Sequence, residues 1–472
     1  MNPEQNLIAA IDIGTTKIVA LVGRKVAGGR IELIGIEKVP STGVKRGVVL
    51  NIEETVSAIA DVVNRVQMRL GRKLTDIYVG VAGQHIRSIC NQGYLFIDSS
   101  YEIKQADVDN LFSDNYKIPV EPGEKILHVI PMDYVVDNET GIKNPVGMSG
   151  RKLEGNFHIV IGQNASVNNI TKCIQRVGLM LNELILEPLA SARAVLTEEE
   201  KEAGVVVVDI GGGTTDVAIY HDSSIRHTAV IPYGGNTITS DIKQGCGILQ
   251  KHAESIKVQF GSAIGDTEKV EDVVTIPGMS GWEPKEVSLN LLGNIIQARM
   301  EEIIDFVLYE IESSGYYDKL GAGIVLTGGG AELRNLSELI KFRTGLDVRI
   351  GRPDLYVKGN YFPEIQSPMF STSLGLLLSA MDRRVKRAIE PQLFPEAEKE
   401  MEKEPKNINK AENDKVNLVP GTGKTPERSS SSWRKGNARS RYEKATGSLF
   451  DSLKERVIGI FDDKNADSGA DM

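Results

Sequence analysis

Up to about residue 386 the chain alternates β-branched apolar runs with segments of helical period, the pattern of an α/β fold. Buried strands are expected over 7–11, 77–81, 159–161, 205–208 and 323–326. Helices are expected over 52–70, 167–177, 187–196 and 288–313. Beyond residue 389 the pattern stops. The stretch 389–446 is rich in Glu, Lys, Asn, Ser and Pro and almost free of aromatics, so it cannot bury enough apolar area to offset its ordering entropy and reads as a disordered linker. One periodic segment returns at 447–463. Within the folded part, AIDIGTTKIVALVG from Ala10 is echoed by VVDIGGGTTDVAIY from Val207. Both read as apolar strand, Asp-Ile-Gly turn with two threonines, and second strand. A third glycine turn, IVLTGGGAELRNL from Ile324, leads into a helix. A duplicated α/β unit with one turn per half facing a shared cleft accounts for the echo.

Composition narrows the class. The 472 residues are too many for one hydrophobic core, and 41% hydrophobic with 25% charged residues is ordinary for a soluble globular chain. A net charge of −9 argues against a general nucleic-acid binder, which needs a surplus of Lys and Arg. Cys90, Cys173 and Cys246 are far apart and form no C-x-x-C pair, as expected of inert thiols in a reducing compartment. The N-terminus lacks a basic region followed by an apolar stretch, and no run is long enough to span a bilayer. The expectation is a cytoplasmic protein whose membrane contact, if any, is peripheral.

The turns carry the chemistry. Gly14 lets the backbone turn tightly and leaves its N–H groups open to an anion, while Thr15, Thr16 and Lys17 add donors. Asp12 ends the strand, where a carboxylate can hold Mg²⁺ through water. The second turn repeats this with Asp209, Gly211, Gly212, Gly213, Thr214 and Thr215. Two such turns facing each other would clamp a di- or triphosphate, with Asp12 and Asp209 as candidate metal-holding carboxylates. Gly328, Gly329 and Gly330 suit close passage of backbone past a purine or its ribose. A lone glycine turn after a strand is more often just a hairpin; three in this order, at domain-sized intervals, are not. No G-x-G-x-x-G opens a helix after the first strand, and PGTGKT near Lys424 lacks both a preceding strand and the first P-loop glycine.

These turns resemble those of the actin, sugar-kinase and heat-shock chaperone ATPase superfamily. DIGTTKIVALVG, LEGNFHIVIG, EPLASARAVLTEEEKEAGVVVVDIGGGTTDVAIY and IRHTAVIPYGGNTITSDI are similar to the FtsA family of bacterial cell-division proteins, over roughly residues 8–381 and again at the C-terminal helix. The resemblance implies an α/β, actin-like (ribonuclease H-like) duplicated fold with two lobes. Subdomain 1A would comprise 1–85 with 159–195 and 366–388, and an inserted small α/β subdomain 1C would span 86–158. Subdomain 2A would comprise 196–232 with 318–365, and 2B would span 233–317. The insert replaces the subdomain found in actin and MreB; its helix candidate is IKQADVDNLFSDNY and its strand candidate KILHVIPMDYVVD.

The resemblance further implies ATP and Mg²⁺ as cofactors. Glu254 and Lys257, at i and i+3 on one helix, would meet the ribose and adenine, the alternative being a solvent-facing ion pair. Glu187-Pro188 would begin the helix that links the two halves under the phosphates. Asp209 would orient water for slow hydrolysis, a weak ATPase at most. Implied partners are other copies of the chain, the C-terminal tail of the tubulin-like FtsZ docking on 2B, and later division proteins. Arg299, central in LNLLGNIIQARMEEIIDFVL, is the candidate for the FtsZ contact.

At the C-terminus, a helix over 449–461 would gather Leu449, Phe450, Leu453, Val457, Ile460 and Phe461 within roughly 120° at about 100° per residue. Lys454 and Arg456 flank this stripe, where their stems can lie along lipid. Seven basic residues between Arg434 and Arg456 stand against three acidic ones, a local surplus of four in an acidic protein. An anionic lipid surface is the expected partner, and docking on protein the alternative. The functional expectation is a peripheral membrane tether at the division site, on the cytoplasmic side. Its rivals are a small-molecule kinase of the same fold, for which no catalytic base can be assigned, and an MreB-like filament protein.

Overall fold

Ile8–Ile13 and Val205–Ile210 are buried at every position, which is why both read as continuous apolar runs rather than alternating ones. Each pairs antiparallel with the strand that follows its turn, Lys17–Lys25 or Thr215–His221. Each pairs parallel on its other side with a strand from further along the chain, Asp76–Val81 or Ile324–Thr327. The computed structural model describes residues 7–389 apart from 27–29, 98–101, 266–271, 279–280, 282, 354–355 and 358–362. Two five-stranded sheets of matching topology result. The first runs Ile31–Pro40, Lys17–Lys25, Ile8–Ile13, Asp76–Val81, Met180–Leu186; the second runs Ser224–Ile231, Thr215–His221, Val205–Ile210, Ile324–Thr327, Val348–Ile350. The duplication legible in the turns is a duplication of whole sheets.

Two helices lie between the sheets. Glu187–Val195 and Ser371–Ile389 share one apolar layer, with Ala10, Val19 and Leu21 on one side and Val205, Val207 and Val325 on the other. Their sequences, EPLASARAV and STSLGLLLSA, are rich in small residues, which allows close approach. A Cβ at Gly375 would lie 1.8 Å from the Ala190 carbonyl oxygen, so the helices cross at backbone contact. On the outer face of the first sheet, helix Ile52–Leu70 is started by Asn51, whose side chain accepts from the Glu54 N–H, and stopped by left-handed Gly71.

The insert is a separate four-stranded sheet ordered Ile86–Phe96, Lys152–Gln163, Glu124–Val136, Glu139–Ile142, covered by helix Gln105–Asn115 around Leu111 and Phe157. Residues 159–161 are a buried strand, as expected. They form the second half of Lys152–Gln163 and are hydrogen-bonded into the insert sheet, so this strand runs unbroken across the 158/159 division. In the second lobe, helices Gly235–Cys246, Gln250–Phe260 and Leu289–Ser313 pack on Ile238, Ile296, Met300 and Ile304. Among the described residues no helix is long and apolar enough to cross a membrane. Apart from residue 389, the expected linker and the terminal helix lie outside the described residues.

Candidate functional site

The hairpin turns that close the two central strand pairs meet each other. A Cβ at Gly212 would lie 1.9 Å from the Thr16 hydroxyl, and one at Gly213 would lie 2.4 Å from that of Thr15. The lobes therefore touch turn to turn, at a distance only glycine permits. Between the lobes is a cavity of about 330 Å³ lined by Asp12, Gly14, Thr15, Thr16 and Lys17 from the first turn and by Asp209, Gly211, Gly212, Gly213 and Thr214 from the second. Glu254, Lys257, Gly328, Gly329 and Gly330 complete it among the expected residues. Thr215 does not reach it. That residue is buried in its strand, its hydroxyl donating to the Tyr233 carbonyl at 2.9 Å.

The floor of the cavity is unusually acidic. Asp12 and Asp209, both buried, are oriented by hydroxyls from the two linking helices. Ser373 donates to Asp12 Oδ2 at 2.6 Å; Ser191 and Thr372 donate to Asp209 Oδ2 at 2.5 and 2.8 Å. Asp216 is buried with its Oδ1 unpartnered. Glu187, at the start of the first linking helix, lines the cavity beside them. Burial holds Asp12 above its usual carboxylate range and pushes Asp216 and Glu187 well above it, the neighbouring aspartates adding to the effect. Burial also lowers the Lys17 ammonium, which donates to the Met369 carbonyl at 2.7 Å. One lysine stands among four carboxyl groups, and their crowding in a buried site favours the protonated forms. Among the described residues no three acidic, histidine or cysteine side chains converge to grip a metal directly. This donor set, carboxylates without close convergence, fits a cation that keeps its own water.

Glu254 and Lys257 pair at 2.8 Å and both line the cavity, the lysine largely buried and the glutamate side chain still 44% exposed. Lys257 also donates to the Gly235 carbonyl at 3.0 Å and to Thr239 at 2.9 Å. The Gly235 and Asn236 N–H groups in turn donate to the Gly211 and Gly212 carbonyls at 2.9 and 2.8 Å. The pair thus braces the second turn from behind. At Gly328 (φ 83°) and Gly330, the space of a side chain is filled by Asp209 and Ile210, so these two glycines make room for the neighbouring strand. Gly329 has only the Met369 methyl nearby, at 3.6 Å.

Arg299 is engaged within the chain, bonded to Asp241 at 2.5 Å and to Glu302. The same helix turns Ile296, Met300 and Ile303 into the core. Leu449, Phe450, Leu453, Lys454, Arg456, Val457, Ile460 and Phe461 lie outside the described residues. The sequence put Glu187 at the start of the helix under the phosphates without giving its side chain a role, and it missed Asp216 as a lining residue and Ser191, Thr372 and Ser373 as supports. The echo carried one signal: aligning the two turns sets Asp216 where the first has Lys17.

A family model described as "Cell division protein FtsA" matches residues 206–375, and one described as "SHS2 domain inserted in FTSA" matches residues 83–161. The cell division protein FtsA of Neisseria meningitidis serogroup B is 41% identical over 381 residues, covering 80% of this chain and 91% of that protein. That of Pseudomonas aeruginosa is 39% identical over 378 residues, covering 80% and 90%. That of Escherichia coli K12 is 36% identical over 381 residues, covering 79% and 90%. Among solved structures, a chain of a "PilM-PilN type IV pilus biogenesis complex" superposes with a TM-score of 0.57 at 16% identity, covering 79% of this chain and 98% of that one. With its paired sheets, its inserted domain and these relatives, the chain has the actin-like fold and belongs to the FtsA family of cell division proteins.

Proposed function

We propose that the chain binds ATP with Mg²⁺ between its lobes, and in that state assembles with other copies on the inner face of the cytoplasmic membrane and tethers FtsZ filaments there. The observation that carries the reading is the backbone-close meeting of two glycine–threonine turns from opposite lobes over a floor of buried carboxylates. Gly14–Thr16 line the cavity from one side and Gly211–Thr214 from the other. The backbone N–H groups of Gly212 and Gly213 and the donors of the first turn would meet an anion there, the Gly211 N–H being already bonded to the Thr214 carbonyl at 2.9 Å. Asp12 and Asp209 would hold the metal through water, each kept in place by the hydroxyls of the linking helices. Bound Mg²⁺ would neutralise phosphate charge against this acidic floor. Glu254 and Lys257 would meet the sugar and base, and Asp209 would orient water for slow hydrolysis. Because its hydroxyl donors come from both linking helices, a shift of either helix would be felt at Asp209.

The C-terminal segment supplies the membrane grip. Partly burying six apolar side chains, at roughly 1.5–3 kcal/mol for each full burial, offsets the ordering of a short helix only narrowly. Attachment by one copy is therefore weak and reversible, and several copies aligned on a filament hold firmly through avidity. The FtsZ tail would dock around 233–317, with Arg299 as the candidate contact, and later division proteins would follow. The test is pelleting of the full chain with ATP on vesicles of anionic phospholipid, with an FtsZ tail peptide added. The wild type should pellet and carry the peptide down, and a Phe450→Glu, Phe461→Glu variant should stay in the supernatant. Unchanged cosedimentation of that variant refutes the anchor.

A further inference from the structure

A short hairpin, Val44–Lys45 paired with Val48–Val49, stands beside the first turn. Its two tip residues are both left-handed, Arg46 at φ 50° and Gly47 at φ 72°. That conformation suits Gly47, where a Cβ would lie 2.8 Å from the Ala82 carbonyl. It is uncommon for an arginine. The hairpin is fastened to the first turn, since the Gly47 N–H donates to Thr15 Oγ1 at 3.1 Å, and Gly47 lines the cavity. From that fixed point Arg46 extends to the opposite lobe. Its guanidinium carbon lies 5.9 Å from the centroid of the Tyr233 ring. Tyr233 is itself a rigid platform: its ring stacks on Phe306 at 5.5 Å and 17°, and its carbonyl accepts the Thr215 hydroxyl.

We propose that Arg46 is a positioning residue that latches the nucleotide cleft. It is a cation on a hairpin fastened to the first turn, held over an aromatic face whose backbone is fastened to the second, so the contact exists only while the two lobes are closed. The latch rests on the ATP reading above and adds to it a determinant of how long the ligand stays. Because the contact forms after the lobes meet, it acts on release and not on capture.

The experiment is stopped-flow dissociation of methylanthraniloyl-ATP with Mg²⁺ from the full chain. Arg46→Ala should release the nucleotide about two- to fivefold faster, the range an exposed cation–π contact supports, with the association rate and thermal midpoint unchanged. Arg46→Lys should keep most of the wild-type rate. Tyr233→Leu, which still covers Phe306, should give the same acceleration as Arg46→Ala, and the double variant should be no faster than either single one. Release from Arg46→Ala at the wild-type rate, or accelerations that multiply in the double variant, overturns the latch alone. A wild-type chain that binds no ATP overturns the cleft reading and the latch together.

Discussion

Gly212 illustrates how single positions are decided in this molecule. Its backbone does not require glycine, since its φ is not in the left-handed region; what excludes a side chain is Thr16 of the other lobe, 1.9 Å from where a Cβ would stand. Gly212→Val should therefore leave each lobe folded and force the turns apart. The expected result is a loss of ATP affinity of about tenfold or more, roughly 1.4 kcal/mol, with little change in thermal midpoint. Titration calorimetry showing undiminished affinity would count against the cleft assignment. Which residues form the turns was legible from their glycines, threonines and flanking apolar strands. Why each glycine is there was not. Gly328 and Gly330 read as room for a ligand, but they make room for Asp209 and Ile210. Local sequence cannot distinguish the two causes, because a close approach looks the same whichever group approaches. Ser191, Thr372 and Ser373 were invisible for a related reason: nothing in their own spacing ties them to Asp12 or Asp209, and only the packing of the linking helices brings them there.

The linking helices carry the hydroxyls that hold both cleft aspartates. Helix propensity alone favours Ala over Gly by about 1 kcal/mol, yet Gly375→Ala sets a methyl 1.8 Å from a backbone oxygen. The clash should win, with a net loss of about 1–3 kcal/mol from overpacking, read as a lower urea midpoint. A midpoint unchanged or raised would mean the helices are not in backbone contact. The insert makes a second junction, with strand Ser224–Ile231 of the other lobe. Arg226 bonds Asp133 at 2.7 Å, and His158 bonds Thr228 at 2.8 Å. His158 is buried at this junction, His128 is buried against Leu186 of the first lobe and His85 is buried just before the insert's first strand. Burial pushes His158, His128 and His85 down to about 4, 3 and 4 from 6.5, with Arg383 adding to the shift at His128 and His227 to that at His158. Their folded values lie below the unfolded one, so their contribution is intact above about pH 6.5 and is lost as pH falls towards 4. The raised carboxylates of the cleft act in the opposite sense, gaining stability as pH falls, so a local readout is needed. Hydrogen exchange, corrected for its intrinsic rate, should accelerate in Lys152–Gln163 and Ser224–Ile231 between pH 6.5 and 4.5. Protection that holds flat over that range would contradict the assignment. The insert's helix and long strand were legible from their own periodicity, whereas its grip on the second lobe was not, because hydroxyl, imidazole and guanidinium partners leave no periodic trace.

Taken whole, the chain is one strand–turn–strand unit used twice, and the copies have diverged where they face each other. Lys17 in one turn answers Asp216 in the other, so one half brings an amine and the other a carboxyl group to the same cavity. The repeat was visible because the turn and both strands are constrained at every position by burial and by the tight bend, which preserves an echo across some two hundred residues. The acidity of the cavity floor was not visible, since Asp12, Glu187 and the Asp209–Asp216 pair come from three separate segments packed around Lys17. This glycine-lined space with its acidic floor is proposed to take a magnesium-chelated nucleotide. Isothermal titration of the full chain with ATP, in Mg²⁺ and again in excess EDTA, tests it directly. One ATP should bind per chain in Mg²⁺, with an affinity weaker by about tenfold or more without the metal; no binding in Mg²⁺, or equal binding in EDTA, would rule out a magnesium-chelated nucleotide in this cleft.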